Sequence, residues 1–382
     1  MSKQPIIYLD YAAATPLDAK VLAAMQPYFV DGFYNPSATY SAAREVSKSL
    51  AGARSQVAHW LGARPSEIIF TAGGSEANNL AIHGLMRQYP EGNIVISSIE
   101  HESISVPAHR YDCRQVAVKS DGRLDLDDLN SKIDDNTVLV SIMYANNEIG
   151  TIQPLRDVSK TVAAKRSERQ NLGSKAKPLY LHTDACQAAN YLDLHVARLG
   201  VDLMTINGGK IYGPKQSGAL YIKAGVELLP LIEGGGQERG LRAGTENLAS
   251  AVGLAAALDV AQDMRHQEID RLKPLQKQFI DAVGKLPGVS VNGSQKYRLP
   301  NNVHLTLEDR DNERLLTQLD EVGIMAAAGS ACSASNEQPS HVLSALGLSK
   351  SQAQSSLRFT MGRGTNQAMI KHVIQVLSKL LH

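Results

Sequence analysis

The chain has only three cysteines, Cys113, Cys186 and Cys332, and no two of them form a CxxC pair. That argues against a disulfide framework and against a structural zinc site. It also lacks a long apolar run. Nothing approaches the ~20 residues that a bilayer-spanning helix needs, and Met1 to Gln4 is too short and polar to open a secretory signal. A cytoplasmic location is the default expectation. Nor does one sign of charge dominate. The formal net charge is +1, so no field draws the chain towards nucleic acid or an anionic membrane. The local exception is the basic run 160–177, with Lys165, Arg166, Arg169, Lys175 and Lys177. It reads as a helix end followed by a solvated loop.

What is present is the composition of a globular protein: 382 residues, 43% hydrophobic and 20% charged. Such a chain can bury a substantial core, and its length suits two domains. Short apolar, β-rich runs at 68–71, 93–97, 138–142, 179–183, 203–206 and 219–222 alternate with helix-like segments such as 75–87 and 155–164. This alternation indicates an α/β domain on a mostly parallel sheet. An Ala-rich stretch from Leu248, helical in character to about Val283, is long enough to bridge two domains. Beyond it come a strand at 302–307, a helix at 312–321, a strand at 357–360 and a helix at 366–381. These read as a smaller α+β domain.

Ligands in open α/β sheets bind beyond the carboxyl ends of the strands, and three candidate constellations fall there. In Thr71-Ala-Gly-Gly-Ser-Glu-Ala-Asn-Asn79 a strand ends, Gly73 and Gly74 allow close backbone approach, and Ser75 opens a helix. Free N–H groups at a helix start suit a phosphate, although a plain Gly turn with an N-cap fits the same residues. In Leu179-Tyr-Leu-His-Thr-Asp184, followed by Cys186 and Gln187, a carboxylate at a strand end can pair with a protonated ring nitrogen or cap the next helix. In Asn207-Gly-Gly-Lys-Ile-Tyr-Gly-Pro-Lys215, Lys210 follows a strand and two glycines. It reads either as an amine projecting into a crowded site or as part of a surface turn. Together, a phosphate cradle, a carboxylate and a lysine on successive strand ends are the parts that hold pyridoxal phosphate. A fourth run, Ala326-Ala-Ala-Gly-Ser-Ala-Cys332-Ser-Ala-Ser, sets a cysteine among small residues and reads as an exposed loop with a reactive thiol. Cys113 reads as core filler, and Cys186, near the proposed cofactor, as a packing residue.

With these residues assembled, the sequence resembles the NifS/IscS-type cysteine desulfurases over nearly its whole length. The matches are Tyr8-Leu-Asp-Tyr-Ala-Ala-Ala-Thr15, Thr71–Asn79, Glu100-His101, Asn146-Asn147-Glu148-Ile149-Gly150, Asp184-Ala-Cys-Gln187 and Lys210-Ile-Tyr-Gly-Pro-Lys215. They continue through Gly234-Gly-Gly-Gln-Glu-Arg-Gly-Leu-Arg-Ala-Gly-Thr245, Gly329-Ser-Ala-Cys332 and Ser356-Leu-Arg358-Phe. The resemblance implies a fold-type-I pyridoxal-phosphate homodimer. Its large domain spans 15–260 on a mostly parallel seven-stranded sheet. A smaller domain is built from 1–14 and 261–382 and carries the cysteine loop.

By matching position the resemblance also implies roles. Lys210 carries the cofactor and Asp184 pairs with its ring nitrogen. His101 stacks on the ring and moves protons, and Gln187 and Asn147 meet the ring hydroxyl side. Gly74, Ser75 and residue 207 hold the phosphate, and Thr245 reaches the phosphate of the partner subunit's site. Arg358 clamps the substrate carboxylate, and Cys332 takes the sulfur of L-cysteine as a persulfide, leaving L-alanine. A sulfur acceptor, such as an iron–sulfur scaffold, completes the implied partners. A selenocysteine lyase, and a non-catalytic assembly subunit that kept the fold, are the competing readings.

Three departures from the family pattern qualify these roles. Gly209 stands where the family usually has histidine, Asn207 where it has serine, and Tyr40 where it tends to have histidine. The sequence ends at His382, soon after its last helix. Relatives that serve a general scaffold often carry a further segment that docks it, so a dedicated acceptor, or a role nearer the nitrogen-fixation branch, is the expectation here. Asparagine still donates through its amide, but glycine offers only backbone, so a weakened grip on the phosphate is expected. Dialysis of the purified protein should strip part of its pyridoxal phosphate, and full retention without supplement would contradict this.

Overall fold

The computed structural model describes residues 6–171, 177–329 and 339–381. Its centre is a seven-stranded sheet built from β2 (Ile68–Thr71), β3 (Asn93–Ser97), β4 (Asp112–Val116), β5 (Thr137–Ser141), β6 (Tyr180–Asp184), β7 (Leu203–Asn207) and β8 (Gly218–Ile222), after a short β1 (Ile7–Tyr8) near the N-terminus. The strand order is β2-β8-β7-β6-β5-β3-β4, and only β8 runs against its two neighbours. Strands β3, β5 and β8, and even edge strand β2, are buried along their whole length, as continuous apolar runs require when both faces are covered.

Edge strand β4 escaped the pattern of apolar runs. Its sequence, Asp-Cys-Arg-Gln-Val, buries only Val116, because this edge, unlike that of β2, is left largely uncovered. Cys113 accordingly sits half-buried beside the core rather than filling it, and burial, with the Asp112 charge, pushes its thiol up to about 11.

A smaller sheet of β12 (Ser356–Thr360), β10 (Asn302–Leu307) and β9 (Val289–Val291) is antiparallel throughout. Beside it, β1 pairs in parallel with β11 (Ile324–Met325), which brings the N-terminus next to residues more than three hundred positions away. The core here unites Ile7 and Leu9 with Leu272, Phe279, Leu305, Phe359 and Ile370, and it is separate from the clusters packed on the large sheet.

The expected long helix is two. Leu248–Asp263 and Arg265–Val283 meet at Met264, whose ψ of −6° departs from helical geometry. The reason lies in what each half touches. The first is Ala- and Leu-rich on most sides and packs into the large core, while the second buries one stripe, Leu272, Leu275, Phe279 and Val283, on the small one. The basic run ends a helix as expected, and the loop 172–176 lies outside the described residues, but two arginines of the helix end are not solvated. The helix there is Leu155–Asn171, Arg166 reaches the Leu179 carbonyl and pairs with Asp202, and Arg169 is buried on the carbonyls of Asp134, Thr137 and Lys177. These carbonyls lie at or just before the starts of β5 and β6, where guanidinium donors add to the backbone bonds. Lys175 lies outside the described residues.

Phe279 and Phe359 meet edge to face, with ring centroids 5.2 Å apart, and neither is exposed. Phe279→Ala should cost about 3–5 kcal/mol, by cavity formation in a core this closed. Chemical denaturation should show it, and a loss under 1 kcal/mol would mean that the small core is loosely packed.

Candidate active site

The chemistry-bearing residues gather at the carboxyl ends of β2, β3, β5, β6 and β7, in a cleft of about 170 Å³. Gly74, Ser75, His101, Asn147, Asp184, Gln187, Asn207, Lys210 and Arg358 all line it. Thr245 does not. It is exposed, on the loop before the Leu248–Asp263 helix. Cys332 lies outside the described residues.

One end of the cleft is a helix start. Gly73, at φ +135°, precedes the Gly74–Met86 helix and gives it no side-chain cap, so the first N–H groups are left for a ligand. A Cβ on Gly74 would sit 2.7 Å from Cys186 Sγ and 3.4 Å from Asn207 Nδ2, so only glycine fits under these two side chains. Asn207 Oδ1 accepts from the Gly209 N–H at 2.9 Å. That bond turns the amide nitrogen towards Gly74. It also uses the N–H that Gly209 could otherwise offer an anion.

Asp184, the last residue of β6, stands further along the cleft. Its Oδ2 accepts from Asn78 Nδ2 at 2.7 Å, and its Oδ1 from the Cys186 N–H at 2.9 Å. The expectation placed Asp184 just past the strand, but it still pairs in register with Thr205. Cys186 lines the cleft instead of merely packing beneath it. Burial, with the Asp184 charge, raises its thiol well above the ordinary cysteine range. Below Asp184, His182 is enclosed between Ser141 Oγ at 2.8 Å and Thr205 Oγ1 at 3.1 Å, and burial pushes its pKa down to about 4. Glu100, buried beside them, is raised by burial and by the Asp184 charge.

Lys210 closes a single 3-10 turn after β7. Its Nζ donates to the carbonyls of Ala12 at 2.9 Å and Ala13 at 2.6 Å, and Gln187 Nε2 donates to the same Ala12 carbonyl at 3.0 Å. Thr15 fastens that segment to the turn, giving its hydroxyl to the Gly209 carbonyl at 3.1 Å and receiving the Tyr212 N–H at 2.8 Å. Arg358 enters from β12, 2% exposed. One terminal nitrogen donates to the Asn147 carbonyl at 3.0 Å and the other to Asp10 Oδ1 at 2.7 Å, while Nε has no partner.

The motif reading missed three contributors: Asn78, Asp10 and Ser103, the last a cleft-lining hydroxyl that accepts from Asn78 Nδ2 at 2.8 Å. Asn78 lies one turn beyond Ser75 on the helix face turned to the sheet, and Asp10 sits inside the Tyr8–Thr15 run. Their positions in known motifs were visible, but their partners, 106 and 348 residues away, were not.

Anion-binding N–H groups, an amide donor, a doubly supported carboxylate and a lysine amine share one cleft. This donor set fits pyridoxal phosphate at each of its polar ends. Fold and site together define a pyridoxal-phosphate transferase of the α/β type.

The model of the aminotransferase class-V family matches residues 7–373. A curated relative, the cysteine desulfurase IscS of Dictyoglomus turgidum, is 40% identical over 383 residues, covering 98% of this chain and 94% of its own. The chain belongs to the aminotransferase class-V family and, within it, to the cysteine desulfurases. Two solved structures are similar. A NifS-like protein has a TM-score of 0.90 at 29% identity, with 99% of each chain covered. SspA in complex with cysteine has a TM-score of 0.78 at 34% identity, covering 93% of this chain and 98% of that one.

Arg358→Lys keeps a charge but loses the planar fork. It should raise the KM for cysteine about tenfold, the worth of one charge-assisted hydrogen bond. Steady-state kinetics reads this, and an unchanged KM would remove Arg358 from carboxylate recognition.

Proposed function

We propose that this chain takes the sulfur from L-cysteine onto Cys332 as a persulfide, leaves L-alanine, and passes the sulfur to an acceptor protein such as an iron–sulfur scaffold. The observation that carries the reading is the convergence of Lys210, Asp184, His101 and Arg358 on one cleft.

Each residue has a task set by its surroundings. Gly74, Ser75 and Asn207 hold the cofactor phosphate, and Asp184 holds the ring nitrogen's proton with a carboxylate whose two oxygens are already oriented. Pyridoxal phosphate, when bound, supplies the electron sink for breaking a bond at the substrate Cα. Arg358 binds the substrate carboxylate with the guanidinium held by Asp10 and Asn147, so little freedom is left to lose on binding. The Lys210 amine, which lines the same cleft, would take the substrate's Cα proton. Cys332, as thiolate, attacks the substrate sulfur. A bond forms between the two sulfurs while the substrate's carbon–sulfur bond breaks, and its electron pair returns to the carbon.

A homodimer belongs to this reading. Phe29, Val30 and Phe33 are 60%, 71% and 67% exposed, a cost that a second copy would remove. Thr245, exposed and outside its own cleft, is free to serve the partner's phosphate. Among the described residues no helix is long and apolar enough to cross a membrane.

Anaerobic incubation of the holoenzyme with cysteine should add one sulfur atom to the peptide bearing Cys332, read by mass spectrometry. Cys332→Ala should abolish that addition and cut alanine formation by at least about a hundredfold, as expected when a nucleophile is removed. Alanine formation at the native rate in Cys332→Ala would overturn the assignment.

A further inference from the structure

Three hydrogen bonds run from Asp184 to His101, and their chemistry fixes the direction of each. Asn78 is 1% exposed, and its Nδ2 lies 2.7 Å from Asp184 Oδ2 and 2.8 Å from Ser103 Oγ. An amide nitrogen has two hydrogens and accepts nothing. Both contacts are therefore donations, one to the carboxylate and one to the hydroxyl. The alternative orientation of the amide would set its oxygen against the Asp184 carboxylate, two acceptors at hydrogen-bond distance. Ser103 Oγ, having accepted, keeps its own hydrogen, and His101 Nδ1 stands 2.8 Å away. The backbone N–H of Ser103 also points at that Nδ1, at 3.1 Å.

A peptide N–H can only donate. His101 Nδ1 must therefore present its lone pair, and the ring's single proton then sits on Nε2. A proton on Nδ1 would face two hydrogens already aimed at the same atom. The local sequence makes this arrangement. His101 is the N-cap of the Glu102–Ala108 helix, with the ring in the place usually taken by a serine or aspartate oxygen, so its Nδ1 serves as the capping acceptor.

We propose that Asn78 and Ser103 are positioning residues that hold His101 as its Nε2–H tautomer, so that this histidine acts on the cofactor and substrate as a hydrogen-bond donor, not as a proton carrier. The proposal rests on the reading of this cleft as the pyridoxal-phosphate site. It departs from the role implied by resemblance, in which His101 moves protons. A neutral imidazole that polarises its partner through Nε2–H is established chemistry for a histidine whose other nitrogen is committed. Proton transfer then falls to Lys210, the other nitrogen base that reaches the same cleft from the described residues. The same amide serves both ends of the site. One Asn78 hydrogen keeps Asp184 an acceptor, and the other keeps Ser103 oriented towards His101.

The test is nitrogen NMR of the holoenzyme labelled with ¹⁵N-histidine, with His101 assigned by its absence in His101→Gln. Cofactor content is measured separately by visible absorbance. The expected spectrum shows an unprotonated Nδ1 and a protonated Nε2. Ser103→Ala, which keeps the backbone donor but loses the hydroxyl, should add a population protonated on Nδ1. It should also lower kcat about tenfold, the worth of one hydrogen bond to a reacting group, with KM for cysteine and cofactor content unchanged. Ser103→Thr should restore both. A wild-type His101 protonated on Nδ1, or on both nitrogens, would overturn the proposal without any variant. Native tautomer and native kcat in Ser103→Ala would remove Ser103 and Asn78 from it. Absence of bound cofactor in the wild type would instead count against the pyridoxal-phosphate reading itself.

Discussion

The Lys210 ammonium rests on two backbone carbonyls, Ala12 and Ala13, and most of the site is organised by that contact. A charge this near the protein interior must be met by acceptors, and the acceptors come from a segment that begins in the other core. Residues 7–9 are strand and core of the small unit, Asp10 pairs with Arg358, and Ala12 to Thr15 lie against the Lys210 turn. One short stretch of chain therefore places Lys210 and Arg358 with respect to each other. In the proposed reading, the separation between the cofactor's attachment point and the substrate's carboxylate is set by the backbone of Asp10 to Ala13, not by either side chain alone.

The two carbonyls direct the Lys210 amine along the Ala12–Ala13 backbone at the edge of the cleft. The acidic residues nearby have contacts of their own: Asp184 accepts from Asn78, Asp10 pairs with Arg358, and Glu100 is buried, with burial favouring its protonated form.

The α/β architecture was legible because central strands buried on both faces read as unbroken apolar runs, and because the residues after them are the ones that meet ligands. Strands β2, β3 and β10 carry the bounds expected from the sequence, since turn residues close them. Edge strand β4 was not legible, because a strand with one wet face and an exposed edge needs little apolar content. The break at Met264 was hidden for a different reason. Helical periodicity says which face is apolar but not which core that face will find. The buried Arg169 shows the limit of charge as a guide to exposure, since its place on the carbonyls of Asp134, Thr137 and Lys177 is one that composition cannot reveal. In the site, glycines, lysine and carboxylate were readable as motifs. Asn78, Ser103 and Asp10 were not, because each works through a partner brought near only by folding.

The central claim, that Lys210 carries pyridoxal phosphate in the cleft below Gly74 and above Asp184, is tested most directly by borohydride reduction of the purified holoenzyme, followed by digestion and mass spectrometry. Reduction should fix the cofactor irreversibly to the peptide containing Lys210, and Lys210→Ala should show neither the adduct nor the visible absorbance. A cofactor fixed to another lysine, Lys215 included, or an unmodified Lys210 in a protein that keeps its yellow colour, would contradict the account.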